Sequence, residues 1–242
     1  MLTFFCIILL KRGWGPMYID RLRNALKKME NKADAEKMKQ YMRGQFEYFG
    51  LRAPVMKDTF KSFIQENGLP AHNDLYSFLK EAWAMPEREM QMAGLSIADK
   101  LKKEMTLQDI EWIEYIIVNK SWWDTVDHIA KHIAGYYFSK FPEQIHPVTE
   151  RWIASENIWL MRSAILFQLG YKDKTEKERL AHIIKETKYE QDFFIRKGIG
   201  WALREFAKVN PDWVWEFVHT EELSPLSYKE AIKNIKKTKQ PS

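Results

Sequence analysis

Residues 119–132 read "NKSWWDTVDHIAKH". On a helix, Trp123 and Asp127 stand four residues apart and share a face, one turn from each other. Aspartate is a poor helix-interior residue, and an isolated one there is ordinarily exposed and hydrated. Beside an aromatic face a carboxylate has another use, because ring quadrupole and negative charge together stabilise a cation. Two later segments carry related residues. "NIWLMRSAILFQLG" holds Arg162 among apolar neighbours, and "GWALREFAK" sets Trp201, Arg204 and Lys208 at i, i+3 and i+7. Singly, each has a plain explanation: a helical Trp is more often core, and a lone Arg lays its stem over apolar surface to reach water. Their coincidence of position across three successive segments carries the weight.

Arg and Lys along one groove hold phosphates and set register. A carboxylate between aromatic faces favours a positive reacting centre. A polyanion with a cationic reacting centre is a narrow class, and alkylated DNA fits it, since N3- or N7-alkylated purines are positively charged. Cleaving their glycosidic bond passes through an oxocarbenium-like sugar, which a nearby carboxylate would stabilise while orienting a water. The cationic base departs neutral, so no general acid is needed and one carboxylate suffices.

The elements that must position these residues read as helices. Strand signals are nearly absent, and apolar residues recur at helical spacing. Ile19, Leu22, Leu26 and Met29 would share one face; so would Trp112, Tyr115, Ile116 and Asn119; so would Val126, Ile129, Ile133 and Tyr137. Gly and Pro punctuate the chain at "FGLRAPV", "ENGLPAHND", "AMPERE", "KFPEQIHP" and "VNPDW". The expectation is an all-α protein of about a dozen helices. Four segments, "PEREMQMAGLSIADKL", "SWWDTVDHIAKHIAG", "NIWLMRSAILFQLG" and "DFFIRKGIGWALREFAK", each begin the second helix of a pair, about 34 to 37 residues apart. Loose pairs of this kind resemble HEAT repeats, which stack into a curved α-solenoid whose concave face, here basic, is lined by the second helices. Trp123, Asp127, Arg162, Trp201, Arg204 and Lys208 would meet on that wall. Within the pair, Trp122 is expected in the core and Trp123 in the groove, with Asp124 capping or solvating the helix start.

No linker is evident, so a single domain is expected over residues 17–242. Residues 1–16 read as an extension outside it. The opening "MLTFFCIILL" is about half of the roughly 20 residues a membrane span requires, and it lacks the basic leader and cleavage site of a signal peptide. No membrane association is expected. With 45% apolar and 29% charged residues the chain is globular rather than disordered. The net charge of +5 suits a polyanionic partner. Cys6 is the only cysteine, which excludes an internal disulfide or a cysteine metal site and points to the cytoplasm.

Other chemistries find little support. His128 and His132 have the i, i+4 spacing of a zinc pair, but no third ligand is evident, so no metal is expected. "RKGIGWAL" has two glycines without a preceding strand or a Lys-Ser/Thr pair. No G-x-S-x-G motif is present, and no cofactor is expected. Composition leaves lysine Schiff-base chemistry open, without a lysine placed beside Asp127 by register.

"KSWWDTVDHIA", "IWLMRSAILFQL" and "DFFIRKGIGWALREFAKVNP" resemble the AlkD family of DNA alkylation repair glycosylases, and "YMRGQFEYFGLRAPVMK" resembles its N-terminal segment. The resemblance covers residues 17 to about 236. It implies that Asp127 is the catalytic carboxylate, that Trp123 and Trp201 frame the lesion, and that Arg162 is the accompanying cation near the phosphate. Arg204 and Lys208 match backbone-contacting positions, and Tyr41, Arg52 and Lys57 are implied as further DNA contacts. Implied too are a HEAT-like solenoid, duplex DNA with alkylated purines as partner, a monomer, nucleoid association when bound, and excision without flipping the base. The chain departs from many relatives at Ala53, where a Thr hydroxyl would precede the loop proline; Arg52 and Lys57 are placed to compensate. The alternative is a non-catalytic helical-repeat scaffold for protein or structured DNA.

Overall fold

The computed structural model describes residues 16–235; the expected N-terminal extension lies outside them, apart from Pro16. Among the described residues the secondary structure is helical, with one isolated bridge between Glu47 and Glu87, as the helical spacing and missing strand signals led one to expect. None of these helices is long and apolar enough to cross a membrane. Two compact units divide the chain, Met1–Leu101 and Lys102–Ser242.

The first unit contains α1 (Pro16–Lys27), α2 (Lys32–Tyr41), α3 (Ala53–Asn67), α4 (Leu75–Ala84) and α5 (Arg88–Leu101). Helix α1 buries Ile19, Leu22 and Leu26 against α3 and α4. Met29 does not join that face: the helix ends at Lys27, and Met29 is 49% exposed in the following turn. The connection between α2 and α3 is organised by the carboxylate of Glu89, only 1% exposed, which accepts the backbone N–H groups of Phe49, Gly50 and Leu51 at 3.1, 2.8 and 3.1 Å. Gly50 has φ +84°, and a Cβ there would lie 2.2 Å from the Asn31 carbonyl oxygen, so only glycine fits.

The second unit contains α6 (Ile110–Val118), α7 (Trp123–His128), α8 (Gly135–Lys140), α9 (Ile145–Ala154), α10 (Ile158–Leu166), α11 (Lys177–Thr187), α12 (Phe193–Phe206), α13 (Pro211–Thr220) and α14 (Pro225–Ala231). A π-helical turn, Ile129–Ala134, joins α7 to α8. Val126, Ile129, Ile133 and Tyr137 are wholly buried on this composite helix, as the spacing predicts. Trp112 and Ile116 of α6 are buried likewise, whereas Asn119 ends α6, its amide donating to the Tyr115 carbonyl at 2.8 Å. Helix α10 packs on α7 and α12, and α12 on α14, while α9 packs on α11.

Helices α5, α7, α10 and α12 begin at residues 88, 123, 158 and 193, each 35 after the last. The cap residues keep the same period. Asn157 accepts the N–H groups of Trp159 and Leu160 at 3.0 and 3.2 Å, and Asp192 those of Phe194 and Ile195 at 2.7 and 3.2 Å. The equivalent position before α7 is Trp122, whose side chain makes no cap hydrogen bond.

Candidate active site

Asp127 and Arg162 are one 35-residue period apart, on adjacent α7 and α10, and the structure joins them. Arg162 Nε donates to Asp127 Oδ1 at 2.7 Å and Nη2 to Oδ2 at 2.9 Å. Such a fork fixes both the distance and the plane of the carboxylate. Arg162 is 5% exposed, and its Nη1 donates to the carbonyl of Phe194 on α12. The Asp192 cap holds that carbonyl's residue at the head of its helix. One turn further along α12, a Cβ on Gly198 would come within 3.2 Å of Arg162 Nη1. Phe194 and Gly198, at i and i+4, therefore present one face of α12 toward the guanidinium.

Burial pushes the Asp127 carboxyl above its ordinary 3.8, Arg162 opposes this by hydrogen bonding and charge, and Asp124 adds to the rise. The pair resolves a conflict. Burial alone favours the neutral acid, while an arginine in contact keeps a carboxylate available. Each oxygen accepts one bond from Arg162, and an ionised carboxylate has about four acceptor directions. The remaining ones are left for a water or for a positive centre. Asp124 lies in the first turn of α7, and the position before the helix belongs to Trp122.

An aromatic cluster stands against this pair. The Trp122 ring is 5.2 Å from Phe194 and 5.9 Å from Trp159, and Trp159 is 5.0 Å from Phe194, centroid to centroid. Trp122 was expected in the core; it is instead half-buried here, because its partners come from the heads of the next two second helices. Its Nε1 is buried and has no hydrogen-bond partner among the described residues. Trp159, Phe194 and Asp192 were not singled out from sequence. The available signal was the register: Trp122 occupies the position that Asn157 and Asp192 hold in the following repeats, and tryptophan cannot cap.

Trp123 and Trp201 are half-buried, on α7 and α12. The other cations do not join Arg162 at the carboxylate. Arg204 pairs with Glu230, which also holds Lys197 at 2.9 Å and Lys233 at 2.7 Å. Lys208 is exposed and bonded to Glu205 at 2.7 Å. It lines a cleft of about 1160 Å³ with Lys102, Lys131, Lys172 and Lys174, balanced in part by Asp173, Glu176 and Glu205. In the first unit, Arg52 forks onto Asp34 with both bonds at 2.8 Å, Lys57 is exposed, and Tyr41 is 72% exposed. Ala53 opens α3 directly before Pro54. The rings of His128 and His132 lie 4.9 Å apart; among the described residues no group of three or more His, Cys, Asp or Glu could hold a metal ion. The glycines of "RKGIGW" serve packing: Gly198 admits Arg162, and a Cβ on Gly200 would lie 2.5 Å from Glu230 Cβ and 2.7 Å from the Ser227 carbonyl.

The family model described as DNA alkylation repair enzyme matches residues 22–235. A solved structure described as a predicted DNA alkylation repair enzyme from Enterococcus faecalis superposes with a TM-score of 0.79. It is 30% identical, over 85% of this chain and 96% of that one. No curated protein sequence matches. The span of the family match and the likeness of this relative lead to one conclusion: the chain belongs to the DNA alkylation repair enzyme family.

Proposed function

We infer that the protein is an AlkD-type DNA N-glycosylase acting on positively charged alkylated purines, of the N3-methyladenine and N7-methylguanine type, in duplex DNA. The observation that carries this reading is the half-buried Asp127 carboxylate pinned in bidentate fashion by Arg162. In the proposed reaction the bond from C1′ to the purine nitrogen breaks, and its electron pair neutralises the departing base. Water bonds to C1′ and releases one proton, leaving an abasic site. Ionised Asp127 stabilises the sugar cation and orients the water. Arg162 holds the carboxylate in place and charged. Trp123 and Trp201 would frame the lesion, which stays in the stack rather than flipping into a pocket. Phosphates would meet Lys208 and its neighbouring lysines, Arg204, and, in the first unit, Tyr41, Arg52 and Lys57. A HEAT-like solenoid over residues 17–242 with a basic concave face, acting as a cytoplasmic monomer that joins the nucleoid when bound, completes the proposal.

The test is release of free base from a duplex containing N7-methylguanine. Asp127→Asn keeps the shape and removes the charge, and it is expected to slow release at least about tenfold, because electrostatic stabilisers of this kind are worth a few kcal/mol. Equal rates for the two proteins would remove Asp127 from the mechanism. No release by either would favour a non-catalytic scaffold.

A further inference from the structure

The first unit contains a second large cleft, of about 1040 Å³, with neither Asp127 nor Arg162 in its walls. Its walls come from α2, α3 and α5. Met38, Met56 and Met92 reach into it half-buried, over a floor that includes Met42, Leu51 and Phe60, each less than a tenth exposed. Four methionines make an apolar surface that adapts to its ligand, because the side chain is unbranched and polarisable. Around the mouth stand Lys37 on α2, Lys57 and Lys61 on α3, and Lys100 on α5, all exposed; Lys57, like Tyr41 of the same lining, is also a proposed phosphate contact, so a docked helix and the duplex would share it. None of the four is in an ion pair among the described residues. The two acids of the cleft are committed elsewhere: Asp34 to Arg52, and Glu89 to three backbone amides. The result is an apolar trough rimmed by lysines, one of which, Lys37, also lies in the field of Asp34.

We propose that this trough docks an acidic amphipathic helix of a partner protein. Charge complementarity chooses the occupant. Four lysines spread over three helices need several carboxylates spaced along a ligand, and a fatty acid brings one. A duplex could offer phosphates to the lysines, but its bases stay stacked and would leave the methionine floor uncovered. A helix with apolar residues at i, i+3, i+4 and i+7 and acids on its flanks satisfies both features at once. The lining face of α3, from Ala53 to Gln65, is about 18 Å long at roughly 1.5 Å per residue, room for about twelve helical residues. The volume also stands at the upper edge of the range usual for small-molecule sites, roughly 300–1,000 Å³.

The experiment is fluorescence anisotropy of the full-length protein with a fluorescein-labelled 14-residue peptide bearing Leu and Phe at those positions and Glu elsewhere. Saturable binding is expected, at least tenfold tighter than for a peptide of the same composition with scattered apolar positions. Met92→Glu, which charges the apolar lining, and the double variant Lys61→Glu with Lys100→Glu, which reverses the rim, should each weaken binding at least tenfold. The rim variant changes only exposed side chains, so its melting temperature should match the wild type and separates lost docking from lost folding. Equal affinity for ordered and scattered peptides would reduce the contact to general charge attraction and overturn the proposal. So would peptide affinity unchanged in both variants, absence of peptide binding, or occupancy of the cleft by dodecanoate or unlabelled duplex but not by the peptide.

Discussion

Arg162 has no slack. Its guanidinium is held by both Asp127 oxygens and the Phe194 carbonyl, and Gly198 leaves it 3.2 Å of clearance from a hypothetical Cβ. Gly198→Ala is therefore expected to tilt the fork and lower base release several-fold, with little change in melting. Gly200→Ala should behave in the opposite way. Its Cβ meets backbone and the base of a side chain rather than a flexible tip, an overpacking that costs typically about 1–3 kcal/mol, read in a thermal melt, while the folded fraction keeps its rate. Similar responses in the two variants would mean that Gly198 is only a packing residue. The Asp127 carboxyl adds a pH signature. Its folded value is raised by burial, so in the window from the ordinary value of 3.8 up to that raised value the unfolded chain gives up the proton first. Stability contributed by this group declines as pH climbs through that window, while the ionised, active form increases. The acid limb of base release should thus lie above the ordinary carboxylate range, and Asp127→Asn should lack both the limb and the accompanying pH-dependent loss of stability. An acid limb at the ordinary value would disprove the raised one.

At the scale of the helix, Trp122 occupies a cap position without capping. Trp122→Asn would supply the missing acceptor, worth about 1 kcal/mol, while stripping the ring contacts with Trp159 and Phe194. The two effects oppose each other. The expected stability loss is therefore smaller than the roughly 3–5 kcal/mol of a large-to-small change at a core aromatic, yet base release should fall as the wall beside Arg162 opens. A full core-sized loss of stability would return Trp122 to the core assignment made from sequence. That assignment failed for a definable reason. Trp122 and Trp123 are adjacent, and a one-residue difference rotates a side chain by about 100° on a helix, but Trp122 precedes the helix, where its phase does not apply. Its partners lie 37 and 72 residues later in sequence. The Asp127–Arg162 pair was more legible, because the 35-residue period puts both at the same place in successive repeats. Helix faces were legible wherever the helix continued, as at Val126, Ile129, Ile133 and Tyr137. They failed at Met29 and Asn119, where the chain leaves the helix first. The fates of Arg204 and Lys208 were hidden because their acids, Glu230 and Glu205, are set by helix packing and by rotamer, respectively.

For the molecule as a whole, the excess of basic residues, +5 in net charge, sets an expectation for binding. Affinity for duplex should fall at least about tenfold between roughly 50 and 200 mM salt, as counterion release requires of a protein neutralising several phosphates. Titration of a labelled duplex at several salt concentrations measures the slope, and a flat line would exclude phosphate contacts as the source of affinity. The uncapped start of α7 also has a consequence in time. Three equivalent helix starts recur along the second unit, and only those of α10 and α12 are closed by a side chain, Asn157 and Asp192. Backbone protons in the opening turn of α7 should trade with solvent faster than their counterparts 35 and 70 residues later, since local opening follows the weakest closure. Deuterium uptake across the chain would then single out the turn that carries the carboxylate, and adding duplex should slow that turn more than the other two.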